Sequence, residues 1–379
     1  MLINSNMPNK KSALIVLNYY TPYVSGLTNV ARDVAEGLVK RGWSVTVVAC
    51  QHKANLPLDE VINGVRVRRA PVLFKLGKGV ISLEFVRIAI AESKKASVIN
   101  LHCPMLEAGL ISIYSKCPIV TTYQCDISLP NNFFNKLQSF IIDKSTSISI
   151  KRSFATIVTS DDYANHSRMS DYLRLNKKAI PAPCHFRGSG NLKFRDSDGI
   201  HVGFLGRIVE EKGIEYLVRG FRMIKDPNAR LLLAGDYAEI AGGSVIDLVR
   251  KSIGEDHRIK VLGRLDDEDI PHFYSSLDIF ALTSINSFEA FGITQVEAMM
   301  AGVPVVATNL PGVRCPVLET GMGKVVSVKS EIEIFNAISA LVRDKNDWTP
   351  NVKLAIELYS LDVAINEYEK VFLEAMDYE

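Results

Sequence analysis

At 379 residues the chain is too long for one ordinary hydrophobic core and fits two domains. With 47% hydrophobic and 23% charged residues it has the balance of a soluble globular protein, and no run approaches the length of an apolar membrane-spanning helix. Net charge is only +2, yet residues 1–190 carry 24 Lys and Arg against 12 Asp and Glu, while the rest carries 20 against 30. A basic first half points to an anionic partner, or to attraction between two domains of opposite sign. No zinc-finger or aromatic RNA-binding motif marks nucleic acid as that partner.

The start, Met1–Lys11, is polar and lacks the apolar core of a signal peptide. Cys50, Cys103, Cys117, Cys125, Cys184 and Cys315 form no C-x-x-C pair and have no His at metal-ligand spacing. Most lie in apolar segments and read as small core residues in a reducing compartment, the cytoplasm.

Ser12-Ala-Leu-Ile-Val-Leu reads as a buried strand, followed by a turn-rich loop that ends at Gly26. From Thr28 to Lys40 the spacing of Val30, Val34 and Leu38 predicts a helix, and Trp43–Cys50 the next strand. This βαβ unit has no G-x-G-x-x-G, which argues against a nicotinamide dinucleotide. Gly26 is either a close-approach position for a ligand or a plain tight turn.

Arg66–Lys95 mixes cations (Arg66, Arg68, Arg69, Lys75, Lys78, Arg87, Lys94, Lys95) with Leu73, Phe74, Leu76, Ile81 and Phe85. It reads as an amphipathic helix, packed on the sheet or lying on an anionic bilayer. Asn131–Arg152, with Phe133, Phe134, Phe140, Ile141 and several cations, is a second segment of that kind. Val98–His102, Pro118–Asp126 and Ala155–Ser160 read as further strands, and His102, Gln124 and Asp126 stand at their polar ends. Residues 184–199, rich in Gly, Ser, Arg and Asp, read as the interdomain linker. Asp196-Ser-Asp198 within it reads as a solvated turn.

The second half restarts with the strand Ile200–Gly206, a loop Arg207–Gly213 and a helix from Ile214. Arg207 and Lys212, on a loop at a strand's carboxyl end, suit one anion: a fixed fork and a mobile point charge. Ile259–Arg264 is another strand-to-loop turn. Asp278–Thr283 and Val303–Thr308 read as buried strands around Ser287-Phe-Glu-Ala-Phe-Gly-Ile-Thr-Gln-Val-Glu-Ala-Met-Met-Ala-Gly302, which must hold a loop and a helix of two turns. A strand–loop–helix–strand unit places that loop at the carboxyl edge of a parallel sheet. The amides of Gly292, Ile293 and Thr294 then lack intrahelical acceptors and make an anion site suited to a diphosphate. Glu289 and Glu297 stand eight apart; Glu297 either completes a capping box with Thr294 or accepts from a ligand's vicinal hydroxyls.

The stretch resembles the E-x7-E signature of retaining GT-B glycosyltransferases of family 4, with its flanking Phe291-Gly292 and the Glu-Ala-Met-x-Ala-Gly-x-Pro-Val tail. Gly206-Arg-x4-Lys-Gly213 resembles that family's diphosphate-binding loop. The resemblance implies an α/β, GT-B architecture: two Rossmann-like domains facing each other across a cleft, an acceptor domain over 1–188 and a donor domain over 196–358. The terminal helix 361–379 would cross back onto the first.

It further implies a metal-independent enzyme that moves a hexose from a nucleotide sugar, such as a UDP- or GDP-hexose, to a hydroxyl with retention, and needs no cofactor. Glu289 would face the transferred sugar, Glu297 hold the ribose, and Arg207 and Lys212 hold the diphosphate with Gly206, Phe291 and the three amides. Arg264 and Leu265 fall where the family holds the base, and Gly26 where it approaches the donor phosphate or the acceptor. The family's sugar-contacting His is replaced by Gln124, which leaves Gln124, Asp126 or His102 to meet the sugar or acceptor. A glycan or lipid-linked acceptor at the inner membrane face fits the basic first half. A nucleotide-sugar epimerase, a phosphorylase and a non-catalytic sugar-nucleotide-binding protein are the competing readings.

Overall fold

The computed structural model describes residues 11–76, 79–128, 132–238, 243–344 and 349–378. Residues 1–10, Lys78, Asn131 and Glu379 of the segments named above lie outside them. The chain divides into two compact units, Met1–Pro183 with Asp362–Glu379, and Cys184–Leu361.

The first unit runs β1 (Ser12–Val16), α1 (Gly26–Lys40), β2 (Ser44–Cys50), β3 (Asp59–Ile62), β4 (Val65–Ala70), a hairpin of β5 (Phe74–Leu76) and β6 (Gly79–Ile81), α2 (Leu83–Ser93), β7 (Val98–Cys103), α3 (Ala108–Tyr114), β8 (Ile119–Tyr123), α4 (Phe133–Arg152), β9 (Ala155–Val158), α5 (Asp161–His166), α6 (Ser170–Leu173) and β10 (Lys177–Ala179). Its main sheet has the order β10-β9-β8-β7-β1-β2-β4-β3, and only β3 and β4 pair antiparallel. β7, β8 and β9 are buried at every position, as strands of a parallel sheet covered on both faces must be.

Two expectations are corrected here. The first helix starts at Gly26 rather than Thr28, because Ser25 and Thr28 form a reciprocal cap: the Thr28 N–H donates to Ser25 Oγ at 3.2 Å and the Ser25 N–H to Thr28 Oγ1 at 2.8 Å. Arg66–Lys95 is no single helix but β4, the hairpin and α2. Val65 and Val67 are buried and alternate with Arg66 and Arg68, the period of a strand. Several of its cations are committed to carboxylates: Arg66 to Asp59 at 2.7 Å, Arg68 to Glu92, buried Arg69 to Glu60, and Arg87 to Glu84 at 2.5 Å.

The second unit runs β11 (His201–Leu205), a 3₁₀ turn (Glu210–Lys212), α7 (Ile214–Arg222), β12 (Arg230–Ala234), α8 (Ile246–Ile253), β13 (Ile259–Gly263), a second 3₁₀ turn (Asp267–Asp269), α9 (Ile270–Ser275), β14 (Ile279–Leu282), α10 (Ile293–Met300), β15 (Val305–Thr308), α11 (Cys315–Thr320), β16 (Gly323–Val326), α12 (Glu331–Arg343) and α13 (Val352–Tyr359). Its sheet is parallel, with the order β13-β12-β11-β14-β15-β16. Chain order reverses direction between β11 and β14, so the crevice at their carboxyl ends is the topological switch point.

Residues 184–199 are packed onto this unit rather than strung out as a linker. The Gly190 N–H donates to Ser275 Oγ at 2.8 Å, the Asn191 N–H to His272 Nδ1 at 2.9 Å, and Arg195 pairs with Asp278 at 2.9 Å. Asp196 and Asp198 are exposed around a bend, as a solvated turn should be, and Asp196 in addition accepts from Arg230 Nε at 2.9 Å and from Lys260 Nζ, tying β12 to β13.

The last helix, α14 (Leu361–Asp377), returns to the first unit. Glu369 is its clasp: Trp43 Nε1 donates to it at 2.8 Å, Lys11 at 3.1 Å and Arg41 at 3.2 Å. Burial alone would raise this carboxyl's pKa, but the bonds from Trp43, Lys11 and Arg41 outweigh it and hold the group below the usual range. A lowered carboxyl pKa adds stability above the unfolded value and loses it as pH falls through the folded one. Glu369→Ala is expected to cost about 1–2 kcal/mol at neutral pH, since it strands the Trp43 donor. Melting curves recorded from neutral pH into the acid range should show that cost shrink as the ion pairs with Lys11 and Arg41 are lost, the part due to the Trp43 donor persisting.

Candidate functional site

The carboxyl ends of β11, β12 and β13 are drawn together by backbone bonds. The Gly206 N–H donates to Ala234 O at 3.0 Å, and the Gly235 N–H to Gly263 O at 2.7 Å. Arg264, exposed, and Leu265, half-buried, leave the same edge after β13. Beyond Gly206 the chain makes the 3₁₀ turn and stops at Gly213, whose φ of +59° suits glycine. A Cβ there would lie 2.4 Å from Thr283 O.

That close approach clips the loop after β11 to the end of β14. Thr283 Oγ1 donates to Lys212 O at 3.1 Å and the Ile285 N–H to Glu211 O at 2.9 Å. Lys212 is thereby carried past Gly206 to Glu289, where its ammonium donates to Oε2; Ser284 Oγ donates to the same oxygen at 3.3 Å. Arg207 lies 3.7 Å from Glu211. The structure thus joins Gly206 and Lys212 of one loop to Glu289, 77 positions beyond Lys212 in sequence.

Helix α10 begins at Ile293 with Gly292 as its N-cap, at φ +87° and without a side-chain cap. Gly292, Ile293 and Thr294 therefore supply N–H groups with no acceptor inside the helix, at its positive end. The capping-box reading of Glu297 is corrected: Thr294 lies inside the helix and no side chain caps it. Glu297 is 2% exposed, its Oε1 accepts from Arg187 Nε at 3.0 Å and Nη2 at 2.9 Å, and its Oε2 from the Tyr274 hydroxyl at 3.2 Å. Burial raises its pKa, and the Arg187 guanidinium is the largest effect opposing that rise. The Phe291 ring is buried and packs at a steep angle on Tyr359, 5.6 Å between centroids, so it supports the loop.

The remaining candidates belong to the first unit. Gly26 is the first residue of α1, has no positive φ, and a Cβ there would meet nothing within 4 Å. His102 and Gln124 are one buried pair: Gln124 Nε2 donates to His102 Nδ1 at 2.6 Å and to Leu27 O at 3.2 Å. Burial takes the imidazole pKa down to about 3, so His102 is neutral at physiological pH. Asp126 is held in a buried hydrogen-bond network. Its Oδ1 accepts from Tyr123 and Ser167 hydroxyls at 2.6 Å each and its Oδ2 from the Arg168 N–H at 3.3 Å, which occupies it in tying β8 to the α5–α6 loop.

Arg187 and Tyr274 escaped the sequence reading. Arg187 lies 110 residues from Glu297 inside a segment of linker composition, and Tyr274 sits among apolar residues of α9. The available signal was a buried-helix glutamate that needed a cation from somewhere.

Comparison with known proteins identifies the family. Residues 193–354 match the family described as Glycosyl transferases group 1, and residues 24–170 that described as Glycosyltransferase Family 4. An uncharacterized glycosyltransferase of Methanocaldococcus jannaschii is 27% identical over 330 residues, 80% of this chain and 81% of its own length. The mannosylfructose-phosphate synthase of Agrobacterium fabrum is 35% identical over 118 residues, 29% of this chain and 26% of its own. Among solved structures, sucrose-phosphate synthase from Thermosynechococcus elongatus superposes with a TM-score of 0.75 at 20% identity, covering 97% of this chain and 100% of its own. HepE of Anabaena, in complex with UDP and glucose, gives 0.69 at 18% identity, covering 96% and 99%.

Gly292→Ala is expected to damage the helix mouth specifically. Besides its positive φ, a Cβ would sit 2.3 Å from Leu282 Cδ2 and 2.8 Å from Gln295 Nε2. Thermal melting should show a loss of about 1–3 kcal/mol, and titration with inorganic pyrophosphate should show weakened binding.

Proposed function

Because the chain belongs to the group 1, family 4 glycosyltransferases and has their GT-B fold, we propose that it transfers a hexose from a nucleoside-diphosphate sugar to a hydroxyl acceptor with retention. The contact that carries this reading is Lys212 with Glu289, made by loops from two adjacent strands at the switch point. A cation fit for a phosphate oxygen and a carboxylate fit for sugar hydroxyls stand side by side, with the amide mouth of α10 on the same segment. That HepE binds UDP-glucose supports a nucleotide-sugar donor.

In this reading the donor replaces the Lys212–Glu289 pair with its own groups. Lys212, Arg207 and the Gly292–Thr294 amides take the diphosphate, where negative charge grows as the anomeric C–O bond breaks. Glu289 orients the sugar through its hydroxyls. The acceptor oxygen forms the new bond on the face the nucleotide leaves, and its proton passes to the departing phosphate oxygen. Glu297 accepts from the ribose. The positive charge on the leaving group's side comes from the protein, so no metal is invoked for it.

The acceptor side rests on the second of the two segments that the sequence offered, α4, together with α3. Phe133 (83% exposed), Phe134, Leu137, Phe140 (67%) and Ile141 project from α4 beside exposed Leu110, Ile113 and Tyr114 of α3. Lys116, Lys136, Lys144 and Lys151 are exposed in this region, whereas its carboxylates are committed: Glu107 to Asn18, Asp126 as above, Asp143 to Arg168. An apolar face with exposed cations fits an anionic bilayer carrying a lipid-linked acceptor for glycan assembly. No helix among the described residues is long and apolar enough to cross a membrane.

With UDP-, GDP- and ADP-hexoses as donors, the one that raises the melting temperature most identifies the base. For that donor, Glu297→Ala should weaken binding about tenfold or more, and Arg207→Ala should mainly lower single-turnover rate. Unchanged donor affinity in Glu297→Ala removes the ribose role. The wild type should sediment with phosphatidylglycerol-containing vesicles and less with phosphatidylcholine alone, and Phe133→Ser/Phe140→Ser should abolish it. Equal sedimentation of both proteins would sink the bilayer reading.

A further inference from the structure

We infer that Arg187 is a positioning residue for the donor: its guanidinium fixes the Glu297 carboxylate in the orientation and charge state that accept the hydroxyls of the ribose. The inference rests on the ribose reading of Glu297 given above.

A carboxylate this deeply buried is tolerated only with a partner, because an isolated buried charge gives up its hydration without return. Arg187 is that partner, and its geometry is particular. Both Nε and Nη2 donate to Oε1, while Oε2 has only the Tyr274 hydroxyl. Oε1 is filled and Oε2 keeps acceptor capacity, so the clamp holds the carboxylate by one oxygen and leaves the other able to take a ligand hydroxyl. Arg187 also has its place set independently of Glu297. Three residues on, Gly190 bonds to Ser275 of α9, and Asn191 to His272 of the same helix. Tyr274 lies on that helix too, so one packed substructure supplies both partners of Glu297.

The charged surroundings are few. His185 and Arg187 face Glu297 from the segment before β11, and Tyr274 faces it from α9; Asp267 faces Arg187. β14 and β15, packed on α10, carry no charged residue. The charges of α13, Lys353 and Glu357, are exposed and lie 3.6 Å from each other. With burial raising the carboxyl and Arg187 the chief opponent, removing the guanidinium moves its titration upward. Hydroxyls donate to the ionised form, so affinity rises with pH until Glu297 is ionised and is level above that.

The test is calorimetric titration of the full chain with UDP, GDP or ADP, whichever binds best, from about pH 6 to about pH 9, alongside inorganic pyrophosphate. Arg187→Gln should bind the nucleotide roughly tenfold more weakly near pH 6.5 and recover as pH rises. Arg187→Lys should fall between it and the wild type, and pyrophosphate affinity should not change. A merely structural arginine would weaken both ligands alike with no change of pH profile, which overturns the inference. If Arg187→Gln does not fold, Arg187→Lys carries the test: a profile shifted upward supports the inference and a wild-type profile overturns it. Glu297→Gln separates the two readings. If it binds nucleotide like the wild type, the ribose reading fails; if it binds weakly while the Arg187 variants titrate like the wild type, only the positioning role fails.

Discussion

The second unit depends on the near-contact between the Gly213 backbone and Thr283 O. Two loops from neighbouring parallel strands do not ordinarily touch so closely, since a side chain would hold them apart. With none there, the hydroxyl of Thr283 and the amide of Ile285 satisfy the carbonyls of the first loop, and a lysine from one strand end meets a glutamate from the other. Lys212 and Glu289 are each largely withdrawn from water, 18% and 15% exposed. Each satisfies the other until a ligand with both a phosphate and hydroxyls offers better-matched partners. The site is therefore assembled from one backbone approach and held in a neutral, closed form by its own charges.

Glu297 illustrates a second constraint, that of keeping a charge inside a helix face. The residue reaches inward because its neighbours Val296 and Ala298–Met300 are core residues that fix the rotation of α10. Once the helix is so oriented, the carboxylate is almost wholly withdrawn from solvent and its protein partners must come to it. They come from α9 and from the stretch that precedes β11.

What the chain disclosed before its structure was known follows the range of the physics involved. Strand–loop–helix–strand around Ser287–Gly302 was legible because burial periodicity, Gly292 and Gly302 act over a few residues, and α10 has the two turns expected. The approach that joins Lys212 to Glu289 was not legible, because it depends on a backbone contact between segments about 70 residues apart; only their shared place at one ligand followed, and that from resemblance. Arg187 was hidden because polar, glycine-rich composition also describes a segment pinned by backbone bonds to a neighbouring helix. Arg66–Arg69 misled because cations in an apolar run suit a helix face as well as alternate positions of a strand, and only Asp59, Glu60 and Glu92 decide between them. The partners of Asp126 were not legible because its hydroxyl donors stand three and forty-one positions away in sequence.

The return of α14 has a consequence for how the protein is made. Trp43, Lys11 and Arg41, near the start of the chain, wait for a glutamate that is translated hundreds of residues later. Until then the first unit emerges from the ribosome with part of its apolar surface bare, while the second unit already has every strand of its sheet. The half that is synthesised first is thus the half completed last, and a chain released early would leave a finished second unit tethered to an open one.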